Sequence, residues 1–513
     1  MSPSTRRTLV IVGAFALIVT GVWGTAVRPW QEAENYSVIG ATDPAVAAAE
    51  AERRTPGASV QDVALTAAPT TFTIEGAEVE TWAFNGAVPG PEVRVQAGDI
   101  VRAEVRNELP EPLTIHWHGI ALRNDMDGVP DLTQDAIEPA ETFTYEFTAP
   151  DPGTYFFHPH TGTQLDRGLY APFIVEDPSQ PGGDDVVVMI DDWVDGTGRT
   201  PDDVLDELLL MPAEGDMGHD MSEMGGDSPT PPMDHGDMPG TTSADQPLVS
   251  DTGDVDYPFY LINGRPPSDP AEYEVTPGEP VRLRLINAGS DTPFRVAVVG
   301  AQLTVVATDG FPVEPVDVDT LFLGMGERYD VEVTIDEVGA VPLVAEPLGK
   351  PGEAVALLRT GPGAAPPADI SPTQLGGRIL ALSDLRAASE VRLPAAPVDR
   401  DYSVELTGGM APYAWGIAGT SDGALTLPVR DGDRVRLTID NGTEMLHPIH
   451  LHGHTFQVVT DAGDGPRKDT LIVSAMSRIT VELDADNPGQ WVLHCHNIYH
   501  AEVGMMTVLT YVR

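Results

Sequence analysis

Eleven of the 13 histidines in this 513-residue chain fall into four short groups, and its only cysteine lies inside one of them. The groups are His116 and His118 in HWHG, His158 and His160 in HPH, His447, His450, His452 and His454 in HPIHLHGH, and His494, His496 and His500 around Cys495 in HCHNIYHAEVGMM. Imidazole and thiolate are transition-metal ligands. A single His-x-His pair means little, but four such groups with the sole thiol among them point to metal. One cysteine also excludes internal disulfides, four-cysteine zinc sites and Cys-x-x-Cys redox motifs.

Successive side chains of a strand point to opposite faces. Read as a strand, VLHCHN sends His494 and His496 to one face and Cys495 to the other. In HPIHLH, His450 and His452 share a face, while His447, at an odd offset, is free to take the opposite one. Two metal environments follow, one strand thickness apart. Cys495 and His447, with His500 arriving from the loop after the strand and a nearby methionine, make the ligand list of a blue-copper electron-transfer site. Met505, preceded by Gly504, is the axial candidate, and Met506 is the competing choice. The paired histidines form the second environment, completed by His116, His118, His158 and His160. Since these come from the other end of the chain, that cluster should sit between the first and last domains.

The elements that must position these groups read as all-β. Short alternating runs are punctuated by Gly and Pro, as in sandwiches and barrels. One phrase, a Gly turn followed by an alternating strand ending in Asn, occurs at 95–107, 273–287 and 425–441. Three copies predict three related β-domains, placed at 66–180, 181–375 and 376–513. Residues 28–65 read as a linker, and DDVLDELLL at 202–210 is the best short helix. An insert at 211–240 stands apart: six of the 15 methionines lie between 211 and 238, with His219, His235 and seven acids. It reads as a disordered acidic loop whose thioethers would select soft Cu(I).

Arg6 and Arg7 precede an uncharged, mostly apolar run at 9–27, the pattern of an export segment. STRRTLV resembles a twin-arginine signal. The run is expected to be cleaved or to stay as a membrane anchor; either way the body of the protein is exported, to the periplasm, cell surface or medium. A net charge of −50, from 79 acidic and 29 basic residues, excludes a uniform nucleic-acid binder.

The four histidine groups, in this order, resemble those of the three-domain multicopper oxidases, which include laccases and exported bacterial copper-efflux oxidases. FNGAVPGP (84–91), TIHWHG (114–119), YLINGRPP (260–267) and LTGGMAPYAW (406–415) also look like family phrases. The resemblance implies three cupredoxin-like Greek-key β-sandwich domains and four copper ions. It implies a type 1 site of His447, Cys495, His500 and Met505, and a type 3 pair held by His118, His158, His160, His452, His494 and His496. His116 and His450 would hold the type 2 copper, leaving His454 structural. Four one-electron oxidations would reduce O2 to two waters. Asp127 matches the position of a proton-relaying carboxylate. Where some relatives carry a second carboxylate directly after the last histidine, this chain has Ala501, so Glu502 is the candidate. Glu444 is a weaker candidate for attracting a cationic donor. Cu(I) is the expected donor, with phenols and aromatic amines as the alternative, and the chain is expected to act as a monomer.

Overall fold

A computed structural model describes residues 36–179, 185–211, 253–367, 370–419 and 426–513. The expected export segment at 1–27 and all of the insert beyond Met211 lie outside them. No helix among the described residues is long and apolar enough to cross a membrane.

The first domain holds β1 (Val60–Ile74), β2 (Ala77–Phe84), β3 (Val93–Gln96), β4 (Ile100–Asn107), β5 (His116–His118), β6 (Thr142–Thr148), β7 (Gly153–His158) and β8 (Ala171–Glu176). They form two sheets, β2-β1-β4-β6 and β3-β8-β7-β5. Trp117 of one sheet meets Phe147 of the other at a ring separation of 5.0 Å, and both are fully buried. Burying side chains of this kind stabilises by roughly 1.5–3 kcal/mol each. Because Trp117 fills the sandwich interior, its neighbours His116 and His118 must leave by the opposite face.

The other two domains repeat the arrangement with two sheets each. In all three, the first long strand runs parallel to a later one: β1 beside β4, Asp185–Trp193 beside Pro280–Asn287, and Arg400–Met410 beside Arg434–Asn441. The repeated sequence phrase ends on the second strand of each pair, and its final Asn has one role throughout. Asn107, Asn287 and Asn441 are buried, and each side-chain amide donates to two or three backbone carbonyls of the following loops. Each side-chain oxygen accepts the N–H two residues on, from Leu109, Gly289 and Thr443. The asparagine thereby closes the turn that leads into the next strand. In the first and third domains that strand carries metal-type ligands; in the second it is the histidine-free Phe294–Val298.

The expected linker at 28–65 is ordered over its described part, which corrects the sequence reading. It contains helix α1 (Pro44–Arg53), capped by the Asp43 side chain, and the start of β1. The helix buries only Val46 and Glu50, so it carries no apolar stripe to read. It is held instead through Glu50, which accepts from the Thr148 N–H at 3.0 Å and hydroxyl at 2.8 Å. Upstream, Ile39 donates to the Tyr511 carbonyl and Arg513 to that of Ser37. The segment therefore straps the first domain to the end of the third. Helix α2 (Pro201–Leu209) falls where expected, with a capping box on Thr200 and Asp203.

Candidate metal centres

Two strands of the third domain carry most of the histidines. His447–Leu451 lies between Thr470–Val473 and Gln490–Cys495, pairing His450 with His494 and Ile449 with Cys495. This register puts His447 on the Cys495 face and His450 on the His494 face, as strand alternation requires. His500 comes not from a loop but from the short helix α3 (Ile498–Glu502), capped by Asn497. A helix of five residues is too short to leave a period in the sequence.

On the Cys495 face, Sγ lies 3.8 Å from His447 Nδ1 and 3.7 Å from His500 Nδ1, and the two nitrogens are 3.1 Å apart. All three residues are fully buried. Met505 is buried beside them: its carbonyl accepts from Cys495 N–H at 3.0 Å, and its own N–H donates to the His500 carbonyl at 2.9 Å. Met506 instead pairs with His494 and lines a cavity on the other side of the strand. The outward nitrogens of the two histidines are also engaged. Thr443 Oγ1 lies 2.8 Å from His447 Nε2, and Asp254 Oδ2 lies 2.9 Å from His500 Nε2. Tyr413 donates to the same Asp254 oxygen at 2.7 Å, and the Trp415 ring packs 4.4 Å from the His500 ring.

On the opposite face, eight histidines of the first and third domains converge. Ligand atoms of His118, His158 and His496 fall within 4.8 Å of one another, as do those of His160, His452 and His494. His116 and His450 bring their Nε2 atoms to 3.4 Å. The outer nitrogens show how the rings are set. Nδ1 of His116, His158, His450 and His494 donates to the carbonyls of Asp127, Pro159, Asp469 and Cys495, at 2.8–3.0 Å. His452 Nδ1 donates to Asp127 Oδ2 at 3.0 Å. These bonds fix the proton on Nδ1 and turn the Nε2 lone pairs inward, the usual preparation of a histidine for metal. Burial, reinforced by neighbouring rings, holds His118, His158, His452, His494 and His496 well below the ordinary imidazole range, so they are neutral donors. Nε2 of His158, His160 and His496 is buried with no hydrogen-bond partner among the described residues. Orphaned lone pairs facing one another are expensive unless a cation sits among them.

Asp127 is fully buried against this cluster. Burial raises its carboxyl above the usual carboxylate range, opposed by the hydrogen bond with His116. Glu502 lines a cavity of about 20 Å³ with His158, His160, His494, His496 and Met506, and burial pushes its carboxyl up to about 7. That volume holds about one water-sized molecule. His454 stands outside the cluster, with Nε2 2.7 Å from the Tyr511 hydroxyl, and Glu444 is exposed one residue from Thr443.

Sequence reasoning missed Asp254, Asp469 and Arg328. Asp254 and Asp469 are two of 79 acids and carry no local signature. A signal did exist near Asp469: the chain has only two lysines, Lys350 and Lys468, and both are turned inward onto buried carboxylates.

Family models described as multicopper oxidase match residues 66–180, 235–363 and 396–513. The chain is 43% identical to the multicopper oxidase MmcO of Mycobacterium tuberculosis, over 91% of this chain and 90% of that protein. It is 29% identical to a copper resistance protein A homolog of Pseudomonas syringae pv. tomato, over 88% and 92%. A multi-copper oxidase structure from Pseudomonas thermotolerans superposes with a TM-score of 0.63 at 26% identity, covering 89% of this chain and 100% of that one. The chain belongs to the multicopper oxidase family, whose members carry four coppers and reduce O2.

Proposed function

We propose that this chain is an exported cuprous oxidase that passes electrons from Cu(I) to O2. In this reading His447, Cys495, His500 and Met505 hold the type 1 copper, and His116 and His450 the type 2 copper. The triples His118, His158, His496 and His160, His452, His494 hold the type 3 pair. The residues fit these ions: inward-facing imidazoles, orphaned lone pairs and one soft thiol are the donor set copper takes. When bound, the coppers supply one-electron acceptance at the Cys495 pocket and reduction of O2 by four electrons at the cluster. The balance is four Cu(I), one O2 and four protons giving four Cu(II) and two waters.

The chain's own residues supply the rest. The Cys495 backbone joins its Sγ to the rings of His494 and His496 on the opposite face, a continuous covalent path through one peptide unit on each side. Asp127 and Glu502 stand beside the cluster as proton relays: burial raises the Asp127 carboxyl above the usual carboxylate range and pushes that of Glu502 up to about 7. Asp254 places a carboxylate at the outer edge of His500. Its second oxygen has no hydrogen-bond partner among the described residues, and the carboxylate's charge can draw a cation toward that edge.

The observation that carries Cu(I) as donor is where the methionine-rich insert is tethered. Its upstream flank, α2, packs on strand Tyr413–Ala418, whose Trp415 covers His500. Its downstream flank reaches Asp254, which bonds His500. The described residues that precede and follow the insert, the helix at 201–209 and Asp254, therefore lie beside the electron entry. A second reading, a laccase-type oxidase of phenols, draws support from Trp415 and Tyr413 beside His500, an aromatic wall for a flat donor.

Oxygen uptake by copper-loaded protein separates the two. With autoxidation subtracted, Cu(I) should give a much higher kcat/KM than a methoxyphenol. Slow turnover of Cu(I) beside fast phenol turnover, with no added copper needed, would replace the proposal by the second reading. Asp254→Asn should lower kcat/KM for Cu(I) roughly tenfold by removing the local charge that concentrates a cation, and leave the protein blue. Unchanged Cu(I) kinetics in that variant would move donor entry to the His447 edge, near Thr443 and Glu444.

A further inference from the structure

The second domain supplies none of the converging histidines, yet one of its turns presses against them. A Cβ on Gly326, which has φ +80°, would lie 2.7 Å from the His496 ring and 3.1 Å from His118 Nε2. Two residues on stands Arg328, at the start of strand Arg328–Thr334 and wholly buried. Its Nη1 and Nη2 donate to the two Asp469 oxygens at 2.6 Å each, and its Nε donates to the Thr154 carbonyl of the first domain at 3.1 Å. Nη1 also lies 3.3 Å from His118 Nδ1. Asp469 in turn accepts from His450 Nδ1 through its backbone carbonyl at 2.9 Å, with Oδ1 3.4 Å from the same nitrogen.

Around this fork is a second layer. Asp309 accepts the Arg328 backbone N–H at 2.9 Å, and its Oδ2 faces Lys468 Nζ at 3.1 Å. Glu327 faces the same ammonium at 3.1 Å. Two cations and three acids from the second and third domains are thus closed off from water beside the rings of His118 and His450. Buried ion pairs of this kind add little net stability, because desolvation offsets most of the attraction. What they do provide is direction: a guanidinium fork accepts one orientation of a carboxylate, and that carboxylate is one bond system away from a cluster histidine.

We infer that Arg328 is a positioning residue, through which the second domain sets His118 and His450 for the trinuclear copper centre. The inference rests on the ligand assignment proposed above. It is distinct from a general role in holding domains together, which the structure assigns to other pairs. Arg284 bonds Asp185 and Asp330 and donates to Thr154 Oγ1 at the same boundary between first and second domains, with no hydrogen bond to a histidine among the described residues.

The test uses copper-loaded full chain in four variants: Arg328→Met, Arg328→Lys, Asp469→Asn and Arg284→Met. The readouts are copper per chain, the type 2 electron paramagnetic resonance signal, and the blue absorption. Arg328→Met should stay blue, change or lose the type 2 signal, and hold cluster copper roughly 10–100-fold more weakly, as loss of an outer-shell partner does. Arg328→Lys should fail to restore the signal, because an ammonium replaces the charge without the fork. Asp469→Asn, which keeps the backbone carbonyl, should show the same change and decides the matter if Arg328→Met does not fold. Arg284→Met should lower Tm and leave the signal untouched. A wild-type signal and affinity in Arg328→Met or Asp469→Asn would overturn the inference, as would an equal disturbance in Arg284→Met. Absence of any type 2 signal in the unmutated protein would instead overturn the ligand assignment.

Discussion

Cys495→Ser is expected to yield a colourless protein whose oxidation of any donor falls to the uncatalysed background, while the opposite face still binds copper. The chain has no other thiol to take its place. Cys495 Sγ sits within 3.8 Å of both His447 and His500 nitrogens in a pocket closed to solvent, and only a soft thiolate there gives intense blue colour. Serine offers a harder oxygen that stays protonated, so the strand keeps its shape and the pocket loses its charge. The fold should tolerate the change: a hydroxyl there has imidazole nitrogens as partners, and the net effect should be about 1 kcal/mol. The histidines of the cluster leave from the other side of the strand, and their outer nitrogens bond to Asp127, Asp469 and backbone carbonyls that the substitution does not touch. Absorption spectra, copper content and oxygen uptake together check this. A variant that stayed blue would remove Cys495 from the type 1 site, and loss of all copper would show that the two faces are not independent.

How much of this was legible in the chain depends on how rare each residue type is and how local its partners are. Histidine and cysteine are scarce, and strand parity alone sends Cys495 one way and His494 and His496 the other. The division of the eight histidines into triples was not legible from spacing, because each triple draws on three segments brought together by domain contacts. The three-domain organisation could be read because one phrase repeats, and the structure explains its closing Asn as the residue that pins the next turn. Helix α1 could not be read, since it docks through the carboxylate of Glu50 and not through an apolar face. Asp254, Asp469 and Arg328 act through partners 246, 19 and 141 positions away. In so acidic a chain nothing local distinguishes Asp254 from its exposed counterparts, and only the rare Lys468 before it marks Asp469.

Asp127→Asn should lower kcat for O2 reduction by roughly 10²-fold or more, the scale on which a positioned proton donor acts, with copper content unchanged. Its position is fixed from both sides. It follows the turn Asn124–Met126, and Gly128 next to it has φ +81°, where a Cβ would meet the Ile115 carbonyl at 1.9 Å. That approach seats the Asp127 carbonyl on His116 Nδ1 at 3.0 Å and its Oδ2 on His452 Nδ1 at 3.0 Å. One residue therefore orients a histidine of the first domain and one of the third. Its Oδ1 is buried and lies 3.2 Å from His116 Nδ1. Asparagine keeps the shape and an oxygen to accept from His452, but it cannot carry the proton. Alanine removes both functions, so Asp127→Ala should also weaken cluster copper about tenfold, by freeing the His452 ring. The two variants separate proton transfer from ring orientation. Should Asn behave as wild type while Ala loses copper, Asp127 would be a positioning residue only, and proton delivery would fall to Glu502 in the neighbouring cavity. If Asn alone is slow, and a solvent hydrogen isotope effect on kcat changes with it, the carboxyl itself moves the proton.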